Sequence, residues 1–191
     1  MTEFLVYIAA SVDGFIARAG GELDWLPGAT PQSPPGPVGE DHGYDAFMAR
    51  VDALVMGRGT YEVVRAFPEW PYAGRRVVVL SRTLGAADLP DGTEVHPGPV
   101  DALAAQLRAQ GVRGVYVDGG QTIQAFLRVG LVTELTVTRT PVLLGGGIPL
   151  FGSLAADLPL EHVRTQAYPS GFVQSVYRPV LSGETVGPPD R

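Results

Sequence analysis

The sequence predicts an α/β domain in which a mixed, mainly parallel sheet is covered by helices and ends in an antiparallel hairpin. Short apolar runs alternate with segments of helical periodicity, which is typical of parallel strands joined by crossover helices. Near the C-terminus, two strand-like segments flank Pro169-Ser170-Gly171, which indicates a hairpin. The 191 residues favour one domain, expected at residues 1–180, with residues 181–191 as a loose tail.

The first elements are a buried strand, a long loop and a helix. FLVYIAA (4–10) is a continuous apolar run with the length of a fully buried strand. Asp13 and the glycine after it provide turn chemistry. Residues 27–43 contain five prolines and four glycines, which indicates a long loop, and such loops are often functional. Helical spacing of apolar residues returns at 41–51, where Asp41 is the expected N-cap.

The middle of the chain continues the alternation of strands and helices. ALVMG (53–57) predicts a second buried strand, and residues 60–67 predict a short helix that ends at Pro68. RVVVLS (76–81) predicts a third strand, and TEVH (93–96) predicts a weaker one.

The last third adds two helices, two strands and the hairpin. Residues 99–111 show the apolar stripe of an amphipathic helix and end at a glycine. GVYVDGG (114–120) predicts a fourth buried strand, which leads into a helix at residues 121–130. Residues 131–144 alternate between apolar and polar, as a strand does, and residues 160–180 contain the two hairpin strands.

Composition narrows the possible functions. A net charge of −6 argues against nucleic acid or an anionic membrane as a partner. No apolar run approaches the ~18 residues of a membrane span, and no signal peptide is indicated, so we expect a cytoplasmic protein. The chain has no cysteine, and His42, His96 and His162 lack ligand spacing, so no metal site is expected. All 14 basic residues are arginines, which suit bidentate phosphate contacts.

Three predicted strand ends carry residues suited to an anion. Ligands of open α/β sheets bind beyond the carboxyl ends of the strands. The segments at these ends are Gly57-Arg58-Gly59-Thr60, Ser81-Arg82-Thr83 and Asp118-Gly119-Gly120-Gln121-Thr122. Arginines, hydroxyls and the free N–H groups of a helix start all attract phosphate, so the combination predicts a dinucleotide.

Each of these segments also has a purely structural interpretation. Gly119-Gly120 could be a tight turn between a strand and a helix. Arg58 could pair with Glu62 four residues later on the same helix, and Ser81-Arg82 could be an ordinary surface turn. No G-x-G-x-x-G follows the first strand, so an ordinary Rossmann fingerprint is absent. The prediction of a cofactor therefore depends on the three segments lying together.

Five segments, in order, resemble the dihydrofolate reductase-like superfamily: YIAASVDGFIA, VMGRGTYE, VVLSRT, VDGGQTIQAFLRVGLVTEL and TPVLLGGGIPLF. The resemblance covers about residues 3–180 and is closest to the reductase domain of the bifunctional deaminase-reductases of riboflavin biosynthesis. Nothing resembles the zinc-binding signature of their deaminase domain, so the likeness is to a reductase domain standing alone. It implies a three-layer α/β/α fold. It also implies a homodimer, with which the alternation of LTVTRT (135–140) at an exposed strand is compatible.

The resemblance implies an NADPH site. Its expected residues are the nicotinamide-side Ala10, Ile16 and Ala17, the phosphate-side Gly57, Arg58 and Thr60, the adenosine-side Ser81 and Arg82, and the pyrophosphate turn of Gly119, Gly120 and Thr122. Arg58 is expected near the 2′-phosphate. Guanidinium groups form strong charge-assisted hydrogen bonds with a 2′-phosphate, which NADH lacks, so NADPH is expected rather than NADH.

The same resemblance implies hydride transfer to a small heterocycle, such as a pteridine or the ribosylaminopyrimidine of the riboflavin pathway. Reduction also needs a proton, from an acid or an ordered water. The candidate acids are Asp13, Asp41 and Asp45, and the candidate substrate contacts are Asp13, Trp25 and Gly146, with Arg18 and Arg139 for a substrate phosphate. Asp13 could equally be a turn residue, Asp41 a helix cap, Asp45 a surface charge and Trp25 a packing residue, and Gly146 could belong to a flexible loop before the last hairpin.

Two other functions remain open at this point. A non-catalytic nucleotide or pterin sensor would keep the cofactor site and lack the proton donor. A flavin-using enzyme would be yellow as purified.

Overall fold

The computed structural model describes residues 1–30, 32–85 and 89–180, so the tail expected at 181–191 lies outside the described residues. The strands are β1 (Glu3–Ser11), β2 (Phe15–Ala17), β3 (Ala53–Gly57), β4 (Arg76–Leu80), β5 (Thr93–His96), β6 (Gly114–Asp118), β7 (Glu134–Thr140), β8 (Ile148–Pro149), β9 (Leu160–Ala167) and β10 (Val173–Pro179). The helices are α1 (Tyr44–Met48), α2 (Arg58–Arg65), α3 (Val100–Ala109) and α4 (Gly120–Arg128).

Eight of the strands form one mixed sheet in the order β5-β4-β3-β6-β1-β7-β10-β9. The first six in this order run parallel, and β10 pairs antiparallel with both β7 and β9. The predicted fold class, with its C-terminal hairpin, is therefore confirmed. The short β2 and β8 form a separate antiparallel pair that the sequence did not predict, because two or three residues give no usable periodicity.

Two apolar cores, one on each face of the sheet, make the three layers. Successive strand residues face opposite sides, so Val115 and Val117 join one core and Tyr116 the other. On the first face, α3 and α4 contribute Leu103, Leu107, Ile123 and Phe126. On the second face, α1 and α2 contribute Phe47, Met48, Tyr61 and Val64. The helices thus cover the centre of the sheet, where the parallel strands lie.

The helix expected at residues 41–51 is much shorter than the sequence predicted. It runs only from Tyr44 to Met48, and its N-cap is Gly43 rather than Asp41. His42 and Gly43 both have left-handed backbone, with φ of 54° and 81°, so the helix cannot extend toward the N-terminus. The Asp41 carboxylate accepts the Gly43 N–H at 2.9 Å and stabilises the turn that precedes the helix.

The expectation that residues 135–140 form an exposed strand for pairing between subunits is wrong. These residues lie in β7, which is paired with β1 along one edge and with β10 along the other. The sheet edge on this side is β9, and all eight of its residues are exposed. Within residues 1–30, 32–85 and 89–180, no helix has the length and apolar character to cross a membrane.

Candidate functional site

The sheet order brings the three anion-suited segments to one edge. Strands β4, β3, β6 and β1 are consecutive neighbours, and all run parallel. Their carboxyl ends therefore form one continuous edge, which we call the anion rim: Arg58, Thr60, Ser81, Arg82, Gly119 and Gly120. With strands roughly 4.8 Å apart, the three gaps from β4 to β1 span about 14 Å, enough for an extended dinucleotide.

Contacts between neighbouring segments show how closely they approach. The Arg58 guanidinium donates a hydrogen bond to the Thr83 hydroxyl at 3.0 Å, which joins the ends of β3 and β4. A Cβ atom added at Gly119 would collide with the Thr60 hydroxyl, so only glycine allows β6 to end against α2. At Gly120 an added Cβ would lie 2.8 Å from Ile16 Cδ1, which places the β2 segment next to the glycine turn.

Two helix N-termini point into the rim. Gly57 precedes α2 and Gly119 precedes α4, and neither helix has a side-chain hydrogen bond at its cap. The first-turn N–H groups therefore remain free to donate to a bound anion, with both helix dipoles favouring it. Thr122 lies in the first turn of α4, and its hydroxyl is 3.2 Å from the position of a Cβ at Gly57. The geometry suits a pyrophosphate held between the two helices.

The adenosine-side residues have structural partners as well. Arg58 is half exposed, and it pairs with Glu62 at 2.6 Å, as the structural interpretation of the sequence expected. The Ser81 hydroxyl accepts the N–H groups of Thr83 at 3.2 Å and Leu84 at 3.0 Å, which closes the turn after β4. Arg82 is exposed in that turn. Both arginines thus lie at the end of the rim formed by β3 and β4, and Glu62 already pairs with Arg58.

The nicotinamide-side residues lie at the other end of the rim. Ala10 is fully buried at the end of β1, and its carbonyl accepts the Thr140 hydroxyl at 3.3 Å. Ala17 pairs with β8, and a Cβ at Gly147 would collide with its carbonyl oxygen. Gly146 is exposed, with nothing within 4 Å of an added Cβ. The β2–β8 pair therefore brings the glycine segment 145–147 beside the end of β1.

Asp13 ties the turn after β1 to that glycine segment. Its carboxylate accepts hydrogen bonds from the Ser11 hydroxyl at 2.6 Å and from the N–H groups of Leu144 at 3.2 Å and Gly145 at 2.8 Å. The Ser11 bond is the main reason that the pKa of Asp13 is lowered. A lowered pKa disfavours the protonated form that a proton donor needs. The contacts of Asp13 therefore indicate a structural role, in which its carboxylate joins two turns.

The structure separates the other residues proposed from the sequence for the substrate side. Asp41 caps the turn before α1, and Asp45 is exposed in the first turn of that helix, so a catalytic role for either stays a prediction. Trp25 is buried, and its indole N–H makes no hydrogen bond within the described part of the chain. Arg18 is bound to Asp24 through two hydrogen bonds of 2.7 and 3.0 Å.

Arg139 is the second arginine proposed for a substrate phosphate, and it lies on the opposite face of the sheet from Asp118. It follows Leu135 and Val137 on the same side of β7 as the first core. Its guanidinium donates to the carbonyl oxygens of Ser11 at 3.3 Å and Val12 at 3.0 Å. Among the described residues, no group of three or more histidine or carboxylate side chains could hold a metal ion.

Asp118 is the buried acid of the site, and it was not among the acids proposed from the sequence. It ends β6 directly before Gly119, and only 9% of its surface is exposed. One carboxylate oxygen accepts the Gly119 N–H at 2.8 Å. Burial raises the pKa of Asp118 to about 6. The signal available in the sequence was a carboxylate between a buried strand and a glycine turn.

Asp118 influences the pKa of three tyrosines, and with them it forms the Asp118 cluster: Tyr44, Tyr72, Tyr116 and Asp118. Burial raises the pKa of each of these tyrosines, and the nearby Asp118 charge raises it further. The Tyr116 hydroxyl lies close enough to lower the pKa of Asp118 slightly, but its proton is donated to the Tyr7 carbonyl at 2.9 Å. The cluster therefore contains a buried acid whose charge affects three tyrosines and which lies directly before the turn at Gly119 and Gly120.

The protein has clear relatives of known sequence. Residues 4–174 match the sequence model of a family described as the RibD C-terminal domain. The "Uncharacterized protein YwjB" of Bacillus subtilis (strain 168) is 30% identical over 166 residues, which cover 86% of this chain and 91% of that protein. The "Riboflavin biosynthesis protein RibD" of Corynebacterium ammoniagenes is 31% identical over 157 residues, 73% of this chain and 43% of that longer protein.

A solved structure extends the likeness to three dimensions. The crystal structure of a "Putative riboflavin biosynthesis protein" from Shewanella sp. PV-4 superposes with a TM-score of 0.82 at 39% sequence identity. The match covers 93% of this chain and 99% of that one. Sequence and fold therefore agree over nearly the whole described chain.

Proposed function

The chain belongs to the family of the RibD C-terminal domain, as its sequence resemblance predicted, and from this premise we propose that it is an NADPH-dependent reductase. It transfers a hydride to a small heterocyclic substrate of the pteridine or aminouracil kind. The observation that carries the proposal is the junction of two uncapped helix N-termini, where Gly119 lies against Thr60. Backbone donors from two helices at one point favour a pyrophosphate over a single anion.

The anion rim would hold the cofactor along its length. The two helix N-termini bind the pyrophosphate, and Arg58, Ser81 and Arg82 take the 2′-phosphate end. The nicotinamide end lies near Ala10 and Ile16, because Ile16 packs against Gly120 on the far side of the turn. In this direction, the residues that would hold the reactive ring lie at the end of β1, the strand next to the one that carries Asp118.

Asp118 would provide the proton for the reduced heteroatom. The reduced nicotinamide supplies the hydride, and the substrate nitrogen or oxygen then needs a proton. A carboxyl group with a pKa of about 6 is half protonated at that pH, so it can donate under mild conditions. Activity that depends on this proton would rise as the pH falls toward 6 and decline above it. Tyr72, which is buried, would exclude water, and Tyr44, which is 36% exposed, would contact the substrate ring.

The test is turnover with a substrate panel. Purified protein is mixed with NADPH and with pteridines, aminouracils and flavins in turn, and absorbance of the reduced nicotinamide is followed. The proposal predicts consumption of NADPH with at least one of the first two classes. Cofactor binding without turnover across the panel would instead favour the sensor, and a yellow protein would favour a flavin enzyme.

A homodimer in the cytoplasm is part of the same proposal. Beside the edge strand β9, a shallow apolar groove of about 300 Å³ is bordered by Phe151 and Leu160, which are 45% and 44% exposed. Adjacent exposed apolar side chains are typical of an interface. Sedimentation should show two chains per particle, and Phe151→Ser should weaken the association.

The absence of cysteine is compatible with the cytoplasm.

A further inference from the structure

Gln174 is a buried polar hub on β10, on the same face of the sheet as the Asp118 cluster. Only 2% of its surface is exposed. Its amide nitrogen lies 3.0 Å from the His42 carbonyl oxygen, 3.0 Å from the Thr138 hydroxyl and 3.3 Å from the Tyr7 hydroxyl. A buried amide is stabilising only where such partners are in place, so its position is tightly specified. The C-terminal hairpin is thereby connected to the turn before α1.

Tyr7 extends this connection to the Asp118 cluster. Its hydroxyl donates to the same His42 carbonyl at 2.9 Å, and its own carbonyl accepts the Tyr116 hydroxyl at 2.9 Å. The ring of Tyr7 contacts the rings of Tyr44 and Phe47, with centroids 5.5 and 4.8 Å apart. One residue of β1 therefore contacts the turn, the helix and the cluster.

The turn held by these bonds has an unusual backbone. His42 is the one non-glycine residue with positive φ in the described part of the chain, and Gly43 follows it in the same region. Left-handed backbone at a residue with a side chain is unfavourable and persists only where surrounding contacts determine it. The two donors on the His42 carbonyl are such contacts. They set the direction in which the chain enters α1, and Tyr44 is the first residue of that helix.

The hairpin turn holds the same segment from a second side. The His42 ring lies between the rings of Tyr168 and Phe172, with centroids 4.5 and 5.0 Å away. The Glu40 carboxylate accepts the Ser170 hydroxyl at 2.6 Å. The segment before α1 is thus fixed by the C-terminal hairpin, which lies far from the anion rim in the sheet order.

We propose that Gln174 is a positioning residue of the reductase site: it holds the His42 carbonyl, fixes the left-handed turn, and so places the Tyr44 ring against Tyr7, whose carbonyl accepts the Tyr116 hydroxyl. Tyr44 then meets the substrate, while Gln174 acts only through the turn. The catalytic consequence rests on the proposed function, whereas the placement of Tyr44 can be tested without turnover.

The first experiment follows Tyr44 directly. Protein with ¹³Cζ-labelled tyrosine is titrated by NMR, and the Tyr44 signal is assigned from its loss in Tyr44→Phe. The pKa of Tyr44 is raised by burial and by Asp118. In Gln174→Leu the turn relaxes, Tyr44 moves toward solvent, and its pKa should return toward the ordinary value. An unchanged Tyr44 titration in folded Gln174→Leu overturns the proposal.

A matched control and a conservative variant separate positioning from stability. Ser175 follows Gln174 in the chain, and its side chain faces the other side of the sheet. Ser175→Ala removes only a 2.8 Å hydrogen bond to Thr165, so the titration of Tyr44 should not change. Gln174→Glu keeps the shape but donates a hydrogen bond only when protonated. At low pH, the NMR signal of Tyr44 in Gln174→Glu should match the signal in the wild-type protein. As the new carboxyl group at position 174 ionises, the two signals should diverge. Departure at every pH overturns the proposal, and this variant serves even if Gln174→Leu fails to fold.

The second experiment measures coupling in catalysis. Gln174→Leu should lower kcat/KM by about tenfold in the wild-type background and by less than about twofold in the Tyr44→Phe background, because coupled residues are non-additive. Equal losses in both backgrounds overturn the proposal. If the wild-type protein shows no turnover on the panel, the proposed function fails, and the NMR titration still decides the role of Gln174.

Discussion

The anion rim and the Asp118 cluster meet at Gly119 but are built in opposite ways. The rim consists of backbone N–H groups, glycines, short hydroxyls and exposed arginines, and each of its segments directly follows a strand. The cluster consists of large side chains around a buried carboxyl group, and they come from β6 and from separate loops and helices. We therefore expect the rim to bind an anion without rearrangement and the cluster to hold a proton.

This difference separates binding from chemistry within the site. Fixed backbone donors stabilise charge at little entropic cost, which suits recognition of a cofactor phosphate. Removal of water from a carboxyl group raises its pKa and so prepares it to donate. Substitutions in the rim should therefore affect cofactor affinity, and substitutions in the cluster should affect turnover.

The largest effect is expected for Asp118→Asn. The amide keeps the shape but cannot transfer the proton, and loss of general acid catalysis typically costs ~10²–10⁴-fold in rate. We expect kcat to fall by about that factor, measured as NADPH oxidation with the best substrate of the panel. The NADPH dissociation constant should change by less than about twofold, because the rim is intact.

The kcat values of Asp41→Asn and Asp45→Asn should be compared with the kcat of Asp118→Asn. Both acids are placed at the start of α1, and the sequence proposed both as catalytic. If either change abolished turnover while Asp118→Asn left it intact, the proton donor would lie at α1 and the contrast between rim and cluster would be lost.

Gly119→Ala should give the second largest effect and act on the rim. Gly119 has φ of 87°, and a Cβ there would collide with Thr60. Left-handed backbone costs about 1–2 kcal/mol for a residue with a side chain, and overpacking adds about 1–3 kcal/mol, so we expect a loss of about 2–5 kcal/mol in urea unfolding. NADPH binding should weaken as the turn shifts.

Gly111→Ala is the matched control for backbone strain. Gly111 has φ of 75°, but nothing lies within 4 Å of an added Cβ. It should cost only about 1–2 kcal/mol and leave NADPH affinity unchanged. If both variants lost cofactor affinity equally, the close approach at Gly119 would not be the reason for its glycine.

The pH dependence of stability isolates the cluster. The pKa of Asp118 is about 6 in the folded protein and 3.8 for an ordinary aspartate, so the folded state binds the proton more tightly. This favourable contribution is complete below pH 3.8 and is lost as the pH rises through 6. Asp118→Asn lacks the buried charge, so it should exceed wild type by about 2–3 kcal/mol at pH ~7.5 and by less than about 1 kcal/mol at pH ~4.

Urea unfolding of both proteins at the two pH values measures this difference. A stability difference that does not change with pH would show that the carboxyl group of Asp118 is not held in its neutral form by burial.

Arg58→Ala should give the smallest effect, and it sharpens the identity of the cofactor. Arg58 is half exposed and already pairs with Glu62, so its bond to a 2′-phosphate falls at the low end of charge-assisted hydrogen bonds. We expect NADPH to bind about tenfold more weakly and NADH to change by less than about twofold. Arg65→Ala, at the other end of α2, should affect neither. Equal losses for both cofactors would remove Arg58 from the 2′-phosphate.

The rim could be predicted from the sequence because its signals are local. Arg58 and Thr60 directly follow the apolar run 53–57, and Gly119 and Gly120 follow a second such run. Strand ends in a parallel sheet meet at one edge, so the segments needed no further information to converge.

The cluster could not be predicted, because its members come together only in the folded chain. Tyr44 is positioned by a turn whose left-handed His42 backbone is held by Gln174, 132 positions away. The start of α1 was misplaced for the same reason. Asp118 directly precedes the glycine turn in the sequence, but nothing local indicates that the folded chain buries its carboxyl group.

Calorimetric titration of NADPH into the purified protein tests the central claim, that strand ends distant in sequence form one phosphate-binding rim. We predict a saturable heat with one NADPH bound per chain, a weaker signal with NADH, and a large loss of affinity in Gly119→Ala but not in Gly111→Ala. No heat of binding at a saturating concentration of NADPH would contradict the account.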